Sequence, residues 1–113
     1  MTKYLISFPS GVMDATEEEM PAVSDDSHAV IEEAKAAGVY VFGGGVDESV
    51  APVLVAGDGT VSTDLYPRTR QLQGGFCVLE VPTRAEAEQW AARIAAACRC
   101  QQELQAFGFD PAS

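Results

Sequence analysis

Runs of apolar residues alternate with polar or glycine-rich breaks along the chain, and the spacing within each run predicts its element. Gly74 to Val81, GGFCVLEV, reads as a central sheet strand: Phe76, Cys77, Val78 and Leu79 follow a glycine pair, and Pro82 closes the run. A helix start follows at once, with Thr83 placed to cap, Glu86 three residues on, and a stripe of Ala87, Trp90, Ala91, Ile94 and Cys98. Upstream, Lys3 to Phe8 reads as the first strand, stopped by Pro9, Ser10 and Gly11. Val12 to Asp26, with Met20 and Pro21, reads as a connecting loop with room for one helical turn. A helix capped by Ser24 or Asp25 then carries Val30, Ile31, Ala34 and Ala37 at helical spacing and stops at Gly38. Val39 to Phe42 reads as a second strand running into Gly43, Gly44 and Gly45, where glycine permits a bulge or widens a cleft at the strand end.

Pro52 to Ala56 and Thr60 to Leu65 flank the Gly57-Asp58-Gly59 turn and predict an appended hairpin. A polar loop from Tyr66 to Gln73 precedes the Gly74 strand, a last strand falls near Glu103 to Phe109, and Pro111 to Ser113 reads as a frayed tail. The order is strand, helix, strand, hairpin, strand, helix, strand. It predicts a single domain over residues 1–113 with a ferredoxin-like α+β fold, βαβ(ββ)βαβ, around an antiparallel sheet. Both helices fall on one face. The other face needs a cover, and a homodimer packed sheet on sheet supplies it.

Charge narrows the partners. Seven basic residues against seventeen acidic ones give a net charge of -10, which disfavours nucleic acid and anionic membrane as partners. No apolar stretch approaches the roughly 20 residues of a membrane span. Three cysteines, an odd and sparse set, argue against a disulfide framework and for a reducing cytoplasm.

Candidate chemistry is thin. His28 is the single histidine and hence the simplest general base near neutral pH, although it lies off the centre of its helix stripe. Asp64, Tyr66, Arg68 and Arg70 share one loop and combine a carboxylate with guanidinium groups suited to an anionic substrate; a solvated loop is the competing reading. Asp47, beside Glu48, is a further candidate in a cleft. The Gly43 to Gly45 run has neither Walker nor dinucleotide spacing. Cys98-Arg99-Cys100 places a guanidinium beside two thiols without completing a zinc ligand set, and Cys77 and Cys98 fall on core positions. No cofactor and no metal are expected.

The pieces KYLISF, IEEAKAAGVYVFGG, DGTVSTD and GGFCVLEVPTRAEAEQWAARIA resemble the YCII-related family, including its branch named for an Asp-Gly-Pro-Phe signature, over nearly the whole chain. The resemblance implies a dimeric α/β barrel with a cleft between helix one and the sheet. The chain departs from that signature, because Asp64 is followed by Leu65, Tyr66 and Pro67 in place of Gly, Pro and Phe. Some relatives pair an early helix-one histidine with an aspartate after the second helix's tryptophan. His28 stands one position, about 100° of helix, from the first of these places, and Arg93, Ile94 and Ala95 stand near the second. The aspartate is therefore absent, the pair does not carry over intact, and its loss favours a non-catalytic module.

Together these readings give His28 and Asp64 as catalytic candidates, and Arg68, Arg70, Tyr66 and Asp47 as substrate-binding ones. They leave two classes open. One is a small-molecule enzyme carrying out cofactor-independent proton transfer or elimination on a small acid or lactone-like substrate. The other is a non-catalytic dimeric binding or interaction module. A catalytic His28 should lie in a concave pocket within reach of a carboxylate, whereas an interaction module should leave it solvated, and an exposed His28 argues against the catalytic assignment.

Overall fold

The computed structural model describes residues 1–68 and 73–113. In chain order the elements are β1 (Thr2–Pro9), α1 (Met20–Ala36), β2 (Tyr40–Gly45), β3 (Leu54–Val55), β4 (Val61–Ser62), β5 (Gly74–Val81), α2 (Arg84–Cys98) and β6 (Glu103–Ala106), with a 3-10 turn over Glu17–Glu19 leading into α1. Four strands form one antiparallel sheet in the order β2-β5-β1-β6, while β3 and β4 pair separately as the appended hairpin. Residues of both helices pack on the same sheet face, so the fold is ferredoxin-like α+β.

Strand β5 keeps its expected bounds and α2 starts where expected, with the Thr83 hydroxyl capping it by accepting from the Glu86 amide at 3.2 Å. Helix α1 corrects the reading of Val12 to Asp26 as a loop capped by Ser24 or Asp25: it begins at Met20, so both residues lie inside it. The physical reason is upstream. Glu19 folds back so that its carboxylate accepts from the Thr16 amide and hydroxyl at 3.2 and 3.0 Å, and Pro21 stands in the first turn, where its missing amide costs nothing. Strand β2 is a second correction. It runs through Gly43–Gly45 instead of ending at Phe42, because pairing with β5 supplies the order that glycine lacks. Its register slips by one residue between Tyr40 and Phe42, a bulge that leaves Val41 opposite no partner.

The core lies between the sheet and the helix pair. Ile6, Leu79 and Val81 are almost fully enclosed, and each contributes about 2 kcal/mol through removal from water. Ala34, Ala87 and Ala91 face them, small enough to bring both helices down onto the strands. Two ion pairs join the helices, Glu33 with Arg93 and Asp26 with Arg99, the latter at 2.8 Å. Both are solvent-washed and contribute at most about 1 kcal/mol each, so they set helix orientation more than stability. Arg99 also caps α2 from a left-handed conformation, φ 59°, and donates to the Ala97 carbonyl at 2.6 Å.

The other sheet face carries Leu5, Val78 and Phe42 side by side across three strands, with Phe42 66% exposed. No helix covers this row among the described residues.

Candidate functional site

The sheet ends in a row that lacks side chains. Antiparallel register aligns Phe8, Gly75 and Gly45 across β1, β5 and β2, two residues along from the buried row of Ile6, Cys77 and Gly43. Alternation therefore turns all three toward the helices. Two glycines in three positions leave a notch, and α1 closes over it with Ser27, His28, Val30 and Ile31. The end of α2 and the chain beyond it supply Ile94, Cys98 and Gln102 as the far wall. The open cleft has a volume of about 270 Å³.

One side of this cleft is chemically equipped. His28 lines it and remains exposed at its mouth, with Nδ1 3.3 Å from the Ser24 hydroxyl one turn earlier on α1. Because α1 starts at Met20, His28 sits in the middle of the helix and not near its start. Among the described residues the expected carboxylate partner is absent and the ring is exposed, as the interaction-module reading expects; a hydroxyl takes the carboxylate's place. The tautomer decides what this pair can do. If Nδ1 carries the proton and the Ser24 oxygen accepts it, Nε2 keeps a lone pair and can act as a base; the opposite arrangement makes Nε2 a donor.

The two thiols on the wall are poor nucleophiles. Burial, with the neighbouring Cys98 adding to it, pushes the Cys77 thiol up to about 11, and burial raises Cys98 as well. Cys100, outside the cleft, is raised by burial while a contact from the Gln102 side chain amide at 3.5 Å works the other way. The fold thus holds Cys77 protonated more firmly than the unfolded chain does. Its contribution is complete below the ordinary thiol value of 9.0 and is lost as pH rises toward 11. Urea titrations from pH 8 to 11 should show an alkaline loss of stability of about 2 kcal/mol from this group, reduced in a Cys77→Ala chain; an identical slope in that variant would remove Cys77 as the cause.

The remaining expected residues lie elsewhere. Asp47 accepts from the Ser49 hydroxyl and amide at 2.6 and 3.0 Å, which holds its carboxyl below the usual range and commits it to its own turn. Asp64, Tyr66 and Arg68 are exposed beyond the hairpin, with Tyr66 75% accessible, and none of them lines the cleft. Arg70 lies outside the described residues. Arg93, near the place of the relatives' aspartate, pairs with Glu33 and rests over the Trp90 ring at 4.5 Å. Ser24, Ser27 and Gln102 were not legible as site residues. Ser24 and His28 did carry a signal, helical i, i+4 spacing, but it became visible only with the true helix start.

A larger hollow of about 430 Å³ lies on the opposite side of the sheet, where the Phe107 to Ser113 segment passes Lys3, Val78 and Glu80. Its chemistry is sparse; Lys3 Nζ donates to the Ser113 carbonyl at 3.4 Å.

Taken together, the sheet order, the paired helices on one face and the notch beneath α1 define a ferredoxin-like α+β protein with a side cleft. Within that class the chain belongs to the YCII-related domain family, which matches residues 8–99. Comparison with curated proteins finds no match. Among solved structures the fold is similar to that of 5-chloro-2-hydroxyhydroquinone dehydrochlorinase from Burkholderia phenoliruptrix AC1100, in complex with 2,5-dihydroxybenzoquinone. The TM-score is 0.53 at 16% identity, covering 96% of this chain and 95% of that one. The described residues contain no helix long and apolar enough to cross a membrane, and no cluster of three or more metal-ligating side chains.

Proposed function

We propose that the chain binds a small organic molecule in the cleft under α1, and that His28 moves a proton there in a cofactor-independent transfer or elimination. The observation that carries this reading is the histidine itself. The one imidazole of the chain borders the one notch that two strand-end glycines leave in the helix-facing sheet, with Nδ1 engaged by Ser24 and Nε2 left for a ligand. Proton abstraction next to a carbonyl, or loss of a leaving group from an adjacent carbon, needs little more than such a base held at one edge of a bound molecule. The fold neighbour's named activity, a dehydrochlorination, is an elimination and supports the same reaction class. Asp64 and Arg68 have no part in this cleft, and Arg70 is left out of the assignment.

The test is a panel of small keto acids, unsaturated lactones and chlorinated hydroquinones, incubated with the protein in D2O and followed for deuterium uptake or chloride release. A substrate found this way should lose about 100-fold in rate with His28→Ala and about threefold with Ser24→Ala, since the serine only orients the ring. An unchanged rate in His28→Ala would end the assignment of that residue. A panel with no turnover would favour the non-catalytic module.

The protomer is, on this reading, half of a dimeric α/β barrel. The Leu5, Val78 and Phe42 row packs against the same row of a second copy, which gives the uncovered sheet face its second layer. The matching pieces of sequence support a place near the branch with the Asp-Gly-Pro-Phe signature, from which Leu65, Tyr66 and Pro67 depart. Three free cysteines suit the reducing cytoplasm.

A further inference from the structure

The notch row of the sheet does not end at Phe8. Strand β6 pairs with β1 through Ile6 with Leu104 and Ser7 with Glu103, and the next step of that register brings Gln102 level with Phe8. Leu104 packs into the core beside Ile6, so alternation turns Gln102, two residues earlier, to the same helix-facing side. The row across the sheet end is thus Gln102, Phe8, Gly75 and Gly45, with an amide at one end and bare glycine at the other. Gln102 lines the cleft, as this register requires. The Asp26 and Arg99 pair ties the end of α2 to α1 two residues before His28, which fixes the amide's wall against the imidazole's.

Among the described residues that line the cleft, Gln102 brings the only side-chain N–H group besides that of His28. Ser27 shares the α1 wall with the base, and the Cys77 and Cys98 thiols are weak donors. The amide is lightly held. Its Nε2 lies 3.4 Å from the Cys100 carbonyl oxygen and 3.5 Å from the Cys100 sulfur, both at the outer limit of a hydrogen bond. Nε2 carries two protons, so contact with Cys100 does not exhaust it.

Proton abstraction needs two groups on opposite edges of the substrate. When His28 Nε2 takes a proton from the carbon beside a carbonyl, the C–H pair forms a C=C bond and the carbonyl π pair moves onto oxygen. Imidazole becomes imidazolium and the substrate an enolate. Where a leaving group stands on the next carbon, the pair returns from oxygen and expels it. In both reactions negative charge develops first on that oxygen, in a chain whose net charge of -10 opposes it. A donor on the wall facing the base meets this charge and grows stronger as it develops. We infer that Gln102 is this donor: its side-chain amide holds the carbonyl oxygen of the substrate and stabilises the enolate that His28 makes. This rests on the proton-transfer reading above and adds to it a carbonyl oxygen directed away from the base.

Two five-membered rings, γ-crotonolactone and 2,5-dihydrofuran, differ by one carbonyl and are the probes. Each is titrated into the 15N-labelled chain while the Gly45 and Gly75 amide signals and the Gln102 side-chain NH2 signals are followed, the last assigned by their loss in Gln102→Ala. The lactone should bind about fivefold more tightly than dihydrofuran, the size of one hydrogen bond, and should move a Gln102 amide proton downfield. Dihydrofuran, whose oxygen lies within the ring, should move the glycines alone. Gln102→Ala should remove the preference. With a substrate from the panel, the same variant should lower kcat about 100-fold and change KM about fivefold at most, with the His28 limb of the pH profile in place. A Gln102 signal that stays still while Gly45 and Gly75 respond, equal affinity for the two rings, or an unchanged kcat in Gln102→Ala would overturn the assignment and leave the small-molecule cleft standing. Silence of all three residues with both rings at millimolar concentration also overturns it, and together with an inactive panel ends the small-molecule reading itself.

Discussion

A Gly74→Ala chain is expected to lose about 3 to 5 kcal/mol of folding stability, a large share of the roughly 5 to 15 kcal/mol that holds a domain of this size. Gly74 has φ +131°, a conformation that side chains rarely adopt, and a Cβ there would collide with the Phe8 carbonyl oxygen and lie 2.9 Å from both Pro9 C and Ser10 N. The chain cannot simply move away. The Gly74 carbonyl accepts from the Val46 amide at 2.8 Å, and the preceding Gln73 carbonyl accepts from the Ser10 amide at 2.8 Å, so this one residue ties together the ends of β1, β2 and β5. Relief of the clash sacrifices those bonds, each worth about 1 kcal/mol net, on top of backbone strain of about 1 to 3 kcal/mol. Urea unfolding at neutral pH measures the difference. Gly44→Ala is the matched control, because its Cβ meets only Phe42 Cζ at 3.9 Å, and it should change stability little. A Gly74→Ala chain as stable as that control would refute the argument.

The second large effect concerns assembly. Wild-type chain at micromolar concentration should scatter light as a particle of about twice its 12.0 kDa mass, and Phe42→Asp should return it to one. Phe42 is 66% exposed in the protomer and pairs with Val78, which pairs in turn with Leu5, so a carboxylate at 42 would be buried without a partner against the same apolar row of a second copy. The same substitution on a free surface costs little, and the variant protomer should keep its fold. A wild-type chain that runs as a monomer would dispose of the sheet-on-sheet dimer.

These effects show which parts of the molecule its residues announce. Strand β5 and the start of α2 are legible to the residue because glycine, proline and a capping threonine punctuate them and no long-range contact is needed to place them. The start of α1 is hidden by Pro21, which suggests a loop unless the Thr16 and Glu19 pair upstream is given weight as the true entry. The glycine end of β2 has low strand propensity and is ordered only by its partner, a contact about 30 residues distant that no local pattern expresses. The cleft divides along the same line. Its glycines and its histidine stand out as residue types, whereas Gln102 and Ser27 are ordinary polar residues until helix ends and strand ends meet. The Arg68 loop draws attention by charge alone, and charge does not report direction.

The slip at Val41 has a bearing on how the family can vary. Tyr40 and Phe42 stand opposite neighbouring residues of β5, as they would if Val41 were absent. Removal of that residue leaves Gly45 over the notch and Phe42 on the open side. Removal or insertion of a residue between Phe42 and Gly45 inverts the parity of the later strand positions and exchanges the notch-facing glycine for its neighbour. Position 41 is thus where this strand can change length at little cost to either surface. Relatives that differ by one residue here are comparable, site for site, with this chain.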